Sequence, residues 1–88
     1  MRSGSVIVEV RIRLGSGIAR LAPAPVFALE LPEDATVQDV YDLLGARNPD
    51  LAPALRCALP VVQGSHVERE QALMPGDEVA LLVPVSGG

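Results

Sequence analysis

The sequence has no lysine, no tryptophan and a single cysteine, Cys57. Its only aromatic side chains are Phe27 and Tyr41. One cysteine excludes an intramolecular disulfide and a cysteine-ligated metal cage. Two aromatics provide no platform for stacking bases, and the core must come from Val, Leu, Ile and Ala. All seven basic residues are arginines, scattered against eleven acids for a net charge of −4. Without a basic block, phosphate backbones and anionic lipid are poor partners, whereas a basic protein surface suits the charge. No apolar run reaches membrane-spanning length, and "MRSGSVIVEVRIRL" breaks its hydrophobics with charges as a signal-peptide core does not. The expected compartment is the cytoplasm.

What is present is enough for one core: 88 residues, 49% of them apolar. Within "VIVEVRIRL" (6–14), Val6, Val8, Val10, Ile12 and Leu14 share one face, with Glu9, Arg11 and Arg13 on the other, which predicts a half-buried strand. "GSGIARLAPAP" (15–25) is a breaker-rich connection with room for one helical turn near Ile18–Leu21. "VFALEL" (26–31) resumes alternation with Phe27, Leu29 and Leu31 inward, and Pro32 closes the strand. Thr36 followed by Asp39 has capping-box spacing, and Val37, Val40, Tyr41 and Leu44 form one helical stripe that Asn48-Pro49 ends. "DLAPALR" (50–56) adds a short turn.

"CALPVVQ" (57–63) reads as a third strand, placed at an edge because Pro60 has no N–H for a ladder. "QGSHVE" turns into a brief strand, "MPGD" (74–77) is a second turn, and "EVALLVP" (78–84) is a last strand apolar on both faces, as a central strand would be. This element order is that of an α+β ubiquitin-like β-grasp fold. In it a mixed sheet packs against one main helix, and the last strand pairs in parallel with the first. The expected division is a domain over 1–84 and a flexible reactive tail over 85–88.

"LELPEDATVQDVYDLL", "VVQGSHVE" and "MPGDEVALLVPVSGG" together resemble the sulfur-carrier family of ubiquitin-like proteins. That family includes the small subunit of molybdopterin synthase (MoaD) and the thiamine sulfur carrier (ThiS). The most specific part is Gly76-Asp77-Glu78-Val79 followed by Pro84-Val85-Ser86-Gly87-Gly88. One departure is Val62-Gln63-Gly64, where many relatives have Val-Asn-Gly; another is the 15–25 connection.

The resemblance implies that an adenylating enzyme of the ubiquitin-activating type uses ATP to activate the carboxylate of Gly88. Sulfur then replaces an oxygen to give a thiocarboxylate, and the large subunit of molybdopterin synthase or another sulfur-accepting synthase receives it. The chain itself binds no cofactor and is a carrier, not an enzyme. Fully extended, Pro84 to Gly88 spans roughly 13–14 Å at about 3.3–3.6 Å per residue, enough to enter a narrow channel while the domain stays outside. Gly87 and Gly88 carry no Cβ to meet the channel walls. By strand parity Ala80 and Leu82, with Ile7 and Val62 on neighbouring strands, are expected to form an exposed apolar patch for the partner, continued by Pro84, Val85 and Ser86.

Two other readings use the same residues: a modifier conjugated to lysine amines through Gly88, and an interaction module with an inert tail. The absence of lysine rules out chains built on the protein's own lysines. A thiamine precursor or another sulfur-containing metabolite is an alternative acceptor. The remaining polar residues read as structure. Cys57 is expected to be a small buried hydrophobe, and His66 a solvated turn residue without the company a metal requires. Asp77 and Glu78 are expected to shape and solvate their turn, and Glu68 and Glu70 to flank Arg69 on an exposed edge. No nucleophile–base pair or phosphate-cradling glycine loop is present.

Overall fold

The computed structural model describes residues 7–19 and 24–83. Strand β1, Ile7–Leu14, alternates without a break, burying Val8, Val10, Ile12 and Leu14 and exposing the residues between them. Gly15 and a four-residue helix α1, Ser16–Ala19, follow, with Ile18 fully buried. Strand β2, Val26–Pro32, returns antiparallel to β1 from Arg13↔Val26 to Ile7↔Pro32. Leu29 and Leu31 are buried and Phe27 is half-buried, as the alternation requires. Val6 and Leu21 lie outside the described residues.

Helix α2, Val37–Arg47, starts where the Thr36–Asp39 spacing places it. The Asp39 carboxylate accepts the Thr36 N–H at 2.8 Å, satisfying a donor that the helix cannot. The next donors go to a distant loop: Val37 N–H reaches the Gln71 carbonyl at 3.0 Å and Gln38 N–H the Arg69 carbonyl at 2.8 Å. Val37, Val40, Tyr41 and Leu44 face the sheet, and the helix stops at Asn48 before Pro49. A 3-10 turn, Pro49–Leu51, leads into helix α3, Ala52–Cys57, which buries Leu51 and Leu55.

Strand β3, Leu59–Val62, turns through Gln63-Gly64 into β4, Ser65–His66. Both turn residues have positive φ, 52° and 81°, the left-handed conformation a two-residue hairpin demands. Gln63 adopts it without the local preference of Asn, and its side chain donates to Asp77 at 3.1 Å. At the second turn Gly76 has φ 86°, the Asp77 N–H donates to Met74, and the Asp77 carboxylate accepts the Met74 N–H at 2.9 Å. Strand β5, Glu78–Leu82, then enters the sheet, whose order is β2-β1-β5-β3-β4. β5 is central, parallel to β1 and antiparallel to β3. The core lies between the inner face of the sheet and α2, joined by Ile18, Leu51 and Leu55.

The structure departs from the sequence expectation at Pro60 and at Cys57. β3 is not an edge strand, since β5 pairs with one side of it and the two-residue β4 with the other. Pro60 is accommodated because its backbone faces the β4 side, where its carbonyl accepts Val67 N–H at 3.2 Å, so no bond to β5 is lost. Cys57 is exposed, not buried: it is the last residue of α3, and the strand starts two residues later.

Candidate functional site

The candidate site is where β5 delivers the chain toward its C-terminus. Val79 and Leu81 are fully buried, so the parity of β5 turns Ala80 and Leu82 outward, as expected. Leu82 is 43% exposed. Its partner across the β3–β5 ladder is Leu59, 45% exposed, and Ala80 pairs with Val61. These four side chains share the outer face, and together they make an apolar patch at the end of the sheet where the chain leaves β5.

The patch differs from the sequence expectation in two members. Val62 is buried, 7% exposed, because the register pairs it with the inward Val79. The outward positions of β3 are therefore Leu59 and Val61, one residue away in parity. Ile7 is exposed but lies at the opposite end of β1. Arg13, not Ile7, stands beside Ala80, and the two are six residue steps apart along the strand, roughly 20 Å at about 3.3 Å per residue. Pro84, Val85, Ser86, Gly87 and Gly88 lie outside the described residues.

Beside this patch the outer face of β1 carries Glu9, Arg11 and Arg13. Arg13 donates to the Glu78 carboxylate through Nε at 3.1 Å and Nη2 at 3.0 Å, the ion pair that bridges β1 and β5 beside Ala80. Glu78 therefore does more than solvate its turn. Such an exposed pair contributes at most about 1 kcal/mol, so its main effect is to border the apolar patch with a fixed polar edge.

The strand end is also braced from behind. Gly15 N–H donates to the Leu81 carbonyl at 2.9 Å, extending the parallel ladder by one residue. A Cβ on Gly15 would meet Leu82 Cδ2 at 3.2 Å and the Leu81 oxygen at 3.3 Å. The glycine allows the chain after β1 to lie flush against the last residues of β5.

A second feature, also not legible in the sequence, sits beneath α2. The Tyr41 hydroxyl donates to the Ala58 carbonyl at 2.8 Å, and the Arg69 guanidinium lies 4.0 Å above the Tyr41 ring. Arg69 also donates to the Leu55 carbonyl at 3.3 Å and is half-buried, not part of an exposed edge. Burial pushes the Tyr41 phenol above its ordinary pKa, and the Arg69 charge partly opposes it. This cluster is structural: it ties the 67–72 loop to α2 and α3, and that loop in turn accepts the first N–H groups of α2. Glu68, Glu70 and His66 are exposed, as expected, but His66 stands in β4 opposite Val61 and not in the turn.

A mixed sheet with its last strand parallel to its first, crossed on one face by a single long helix, defines the ubiquitin-like β-grasp class of proteins. Within that class the chain belongs to the ThiS family, whose model matches residues 18–88. It is similar to the molybdopterin synthase sulfur carrier subunit of Arabidopsis thaliana, 26% identical over 81 residues that span 92% of this chain and 84% of that protein. The structure is similar to SAMP1 from Haloferax volcanii, with a TM-score of 0.80 and 27% identity over 91% of this chain and 99% of that one. It also shares its fold with a chain of the complex of subunits 1 and 2 of the molybdopterin-converting factor from Helicobacter pylori. There the TM-score is 0.68, the identity 20%, and the coverage 92% of this chain and 93% of that one.

Proposed function

We propose that the protein is a sulfur carrier that works through the carboxylate of Gly88, as the small subunit of a molybdopterin synthase. The observation that carries this reading is the ThiS family match, which runs through the Gly-Gly pair to residue 88. The similarity to a plant molybdopterin synthase sulfur carrier subunit favours molybdopterin as the pathway.

The chemistry requires another protein. A carboxylate is a poor electrophile until one oxygen becomes a leaving group. Attack of a Gly88 carboxylate oxygen on the α-phosphorus of ATP releases pyrophosphate and leaves an acyl-adenylate. Hydrosulfide-level sulfur then attacks the carbonyl carbon, AMP departs with the bridging oxygen and the electron pair of the broken C–O bond, and the terminus carries sulfur in place of one oxygen. An adenylating enzyme of the ubiquitin-activating type supplies the ATP site, and the chain serves as its substrate. The large synthase subunit is the second partner; the Helicobacter pylori protein of the same fold is solved as a complex of subunits 1 and 2. Residues 85–88 act as the reactive tail, Pro84, Val85 and Ser86 pass through the partner's channel, and the outward patch around Leu82 and Ala80 docks outside it.

ATP–pyrophosphate exchange with the cognate adenylating enzyme tests this reading. Deleting Gly88 is expected to abolish exchange without lowering the melting temperature. Gly87→Val is expected to block it through a β-branched side chain where the channel has no room. Normal exchange by the Gly88 deletion would refute the terminal-carboxylate mechanism.

A second reading is favoured by the 27% identity to SAMP1, a small archaeal modifier protein. In it the activated carboxylate ends on a lysine amine of a target protein. Intact-mass measurement of protein from its native host separates the two: sulfur exchange at the C-terminus supports the carrier, and covalent adducts of larger proteins support the modifier.

A further inference from the structure

The free edge of β2 and the side of α2 next to it combine two features that the tail chemistry does not use. The first is an open ladder. Leu14 N–H donates to the Pro25 carbonyl at 2.8 Å, which fixes the alternation of the β1–β2 pair. Phe27, Leu29 and Leu31 therefore turn their backbone groups toward β1, and Val26, Ala28 and Glu30 turn theirs outward. Among the described residues these outward N–H and C=O groups have no backbone partner. The ladder ends at Pro32, which has no N–H and whose carbonyl accepts from Ala35 at 3.1 Å.

The second feature is a groove of about 340 Å³ beside this edge, on the core side of the sheet. It is lined by Leu31 and Pro32 from β2 and by Asp39, Asp42, Leu43 and Ala46 from α2. The four helical positions are spaced three, four and seven apart. They form a stripe of their own, separate from the Val37, Val40, Tyr41 and Leu44 stripe that faces the core. Its floor is apolar, with Leu43 half-buried, and two aspartates rim it. Asp39 accepts from Thr36 and Asp42 from Gln38, both neutral donors, and neither carboxylate has a cationic partner among the described residues.

We propose that this edge and groove bind an extended segment of a partner protein, added as a sixth strand antiparallel to β2. A strand added there lies about 4.8 Å beyond β2 and directs every second side chain over the α2 stripe. The backbone ladder requires an extended peptide, the groove floor selects apolar residues at alternate positions, and the aspartates select a Lys or Arg on the same face. In the antiparallel direction that basic residue precedes the apolar ones. The surface lies away from the Leu59–Leu82 patch, across two strands of the sheet, so a partner held here leaves the end of β5 free. The inference does not rest on the sulfur-carrier reading.

The test is a titration of the isotope-labelled full chain with the end-blocked peptide Arg-Thr-Ile-Thr-Val, followed by backbone amide shifts and hydrogen exchange. Saturable shifts and slowed exchange are expected at the amides of Val26, Ala28 and Glu30. A Glu-Thr-Ile-Thr-Val peptide is expected to bind about tenfold more weakly, and Asp42→Arg to reverse that preference. Leu43→Glu should abolish binding of both. Asp42 is exposed and Leu43 is partly buried against the core; thermal melts identify any variant that fails to fold, in which case the peptide pair on the unaltered chain decides. No shift at large peptide excess, or shifts confined to the Leu59–Leu82 face, would overturn the proposal. So would sedimentation showing that β2 pairs with a second copy of the chain instead. None of these outcomes bears on adenylation at Gly88, so the two readings fail separately.

Discussion

Gly15 and Leu82 are packed so closely that a methyl group on the glycine would stand 3.2 Å from Leu82 Cδ2. Gly15 follows the last residue of β1 and Leu82 is the last of β5, the strand that leads to the tail. Leu82 is partly exposed and can swing its side chain away, but the Leu81 carbonyl at 3.3 Å is backbone held in the ladder. Gly15→Ala is therefore expected to cost less than about 1 kcal/mol, and Gly15→Val about 1–3 kcal/mol by forcing the strand end outward. Denaturant unfolding measures both. On the proposed function, Gly15→Val should also reduce the turnover of adenylation more than a variant of equal stability altered elsewhere in the core.

The neighbouring residues of β5 separate folding from docking. Leu82→Glu places a carboxylate in solvent and is expected to shift stability by about 0.5 kcal/mol or less. Leu81→Glu buries an unpaired charge in a fully enclosed site and is expected to unfold the domain. Circular dichroism distinguishes them. In a binding titration with the adenylating enzyme or the large synthase subunit, Leu82→Glu and Leu59→Glu should each weaken association. Val61, on the same face, should tolerate Thr with a smaller loss.

Tyr41 gives the fold a pH dependence on the alkaline side. Its phenol is held above its ordinary pKa by burial, with the Arg69 charge opposing in part. The unfolded chain therefore gives up this proton before the folded chain does. Tyr41 contributes its full stability below the ordinary tyrosine value of about 10, and stability falls as pH rises beyond it. Tyr41→Phe is expected to cost about 1–2 kcal/mol at neutral pH by leaving the Ala58 carbonyl without its donor, and to flatten the decline above pH 10. Melting temperatures between pH 7 and 11 for the two proteins check both expectations; parallel curves would assign the alkaline loss to other groups.

The patterns that the sequence determined are local ones. Alternation places Val8, Val10, Ile12 and Leu14 inward because side chains on a strand have a period of two. Val37, Val40, Tyr41 and Leu44 face the sheet because the helical repeat brings them to one side. Gly64 and Gly76 mark turns because each adopts a positive φ, and the spacing of Thr36 and Asp39 marks the helix start. These relations span a few residues and follow from backbone geometry alone. The Gly87-Gly88 pair, outside the described residues, is a local signal of the same kind, and the proposed function puts the chemistry there.

Other features depend on register and on partners distant in the chain. "LPVV" is apolar at every position, so nothing within β3 says whether Val61 or Val62 turns inward; the ladder with β5 decides it by pairing Val62 with Val79. Ile7 is on the outer face, as parity says, yet the parallel offset of β1 against β5 puts Arg13 beside Ala80. Arg13 and Glu78 are 65 residues apart when they form their ion pair, and Arg69 finds Tyr41 only because a loop crosses the start of α2. The open edge of β2 is likewise a consequence of strand order. A one-dimensional pattern encodes which face of an element is apolar, but which residues become neighbours follows from how the elements are placed beside one another.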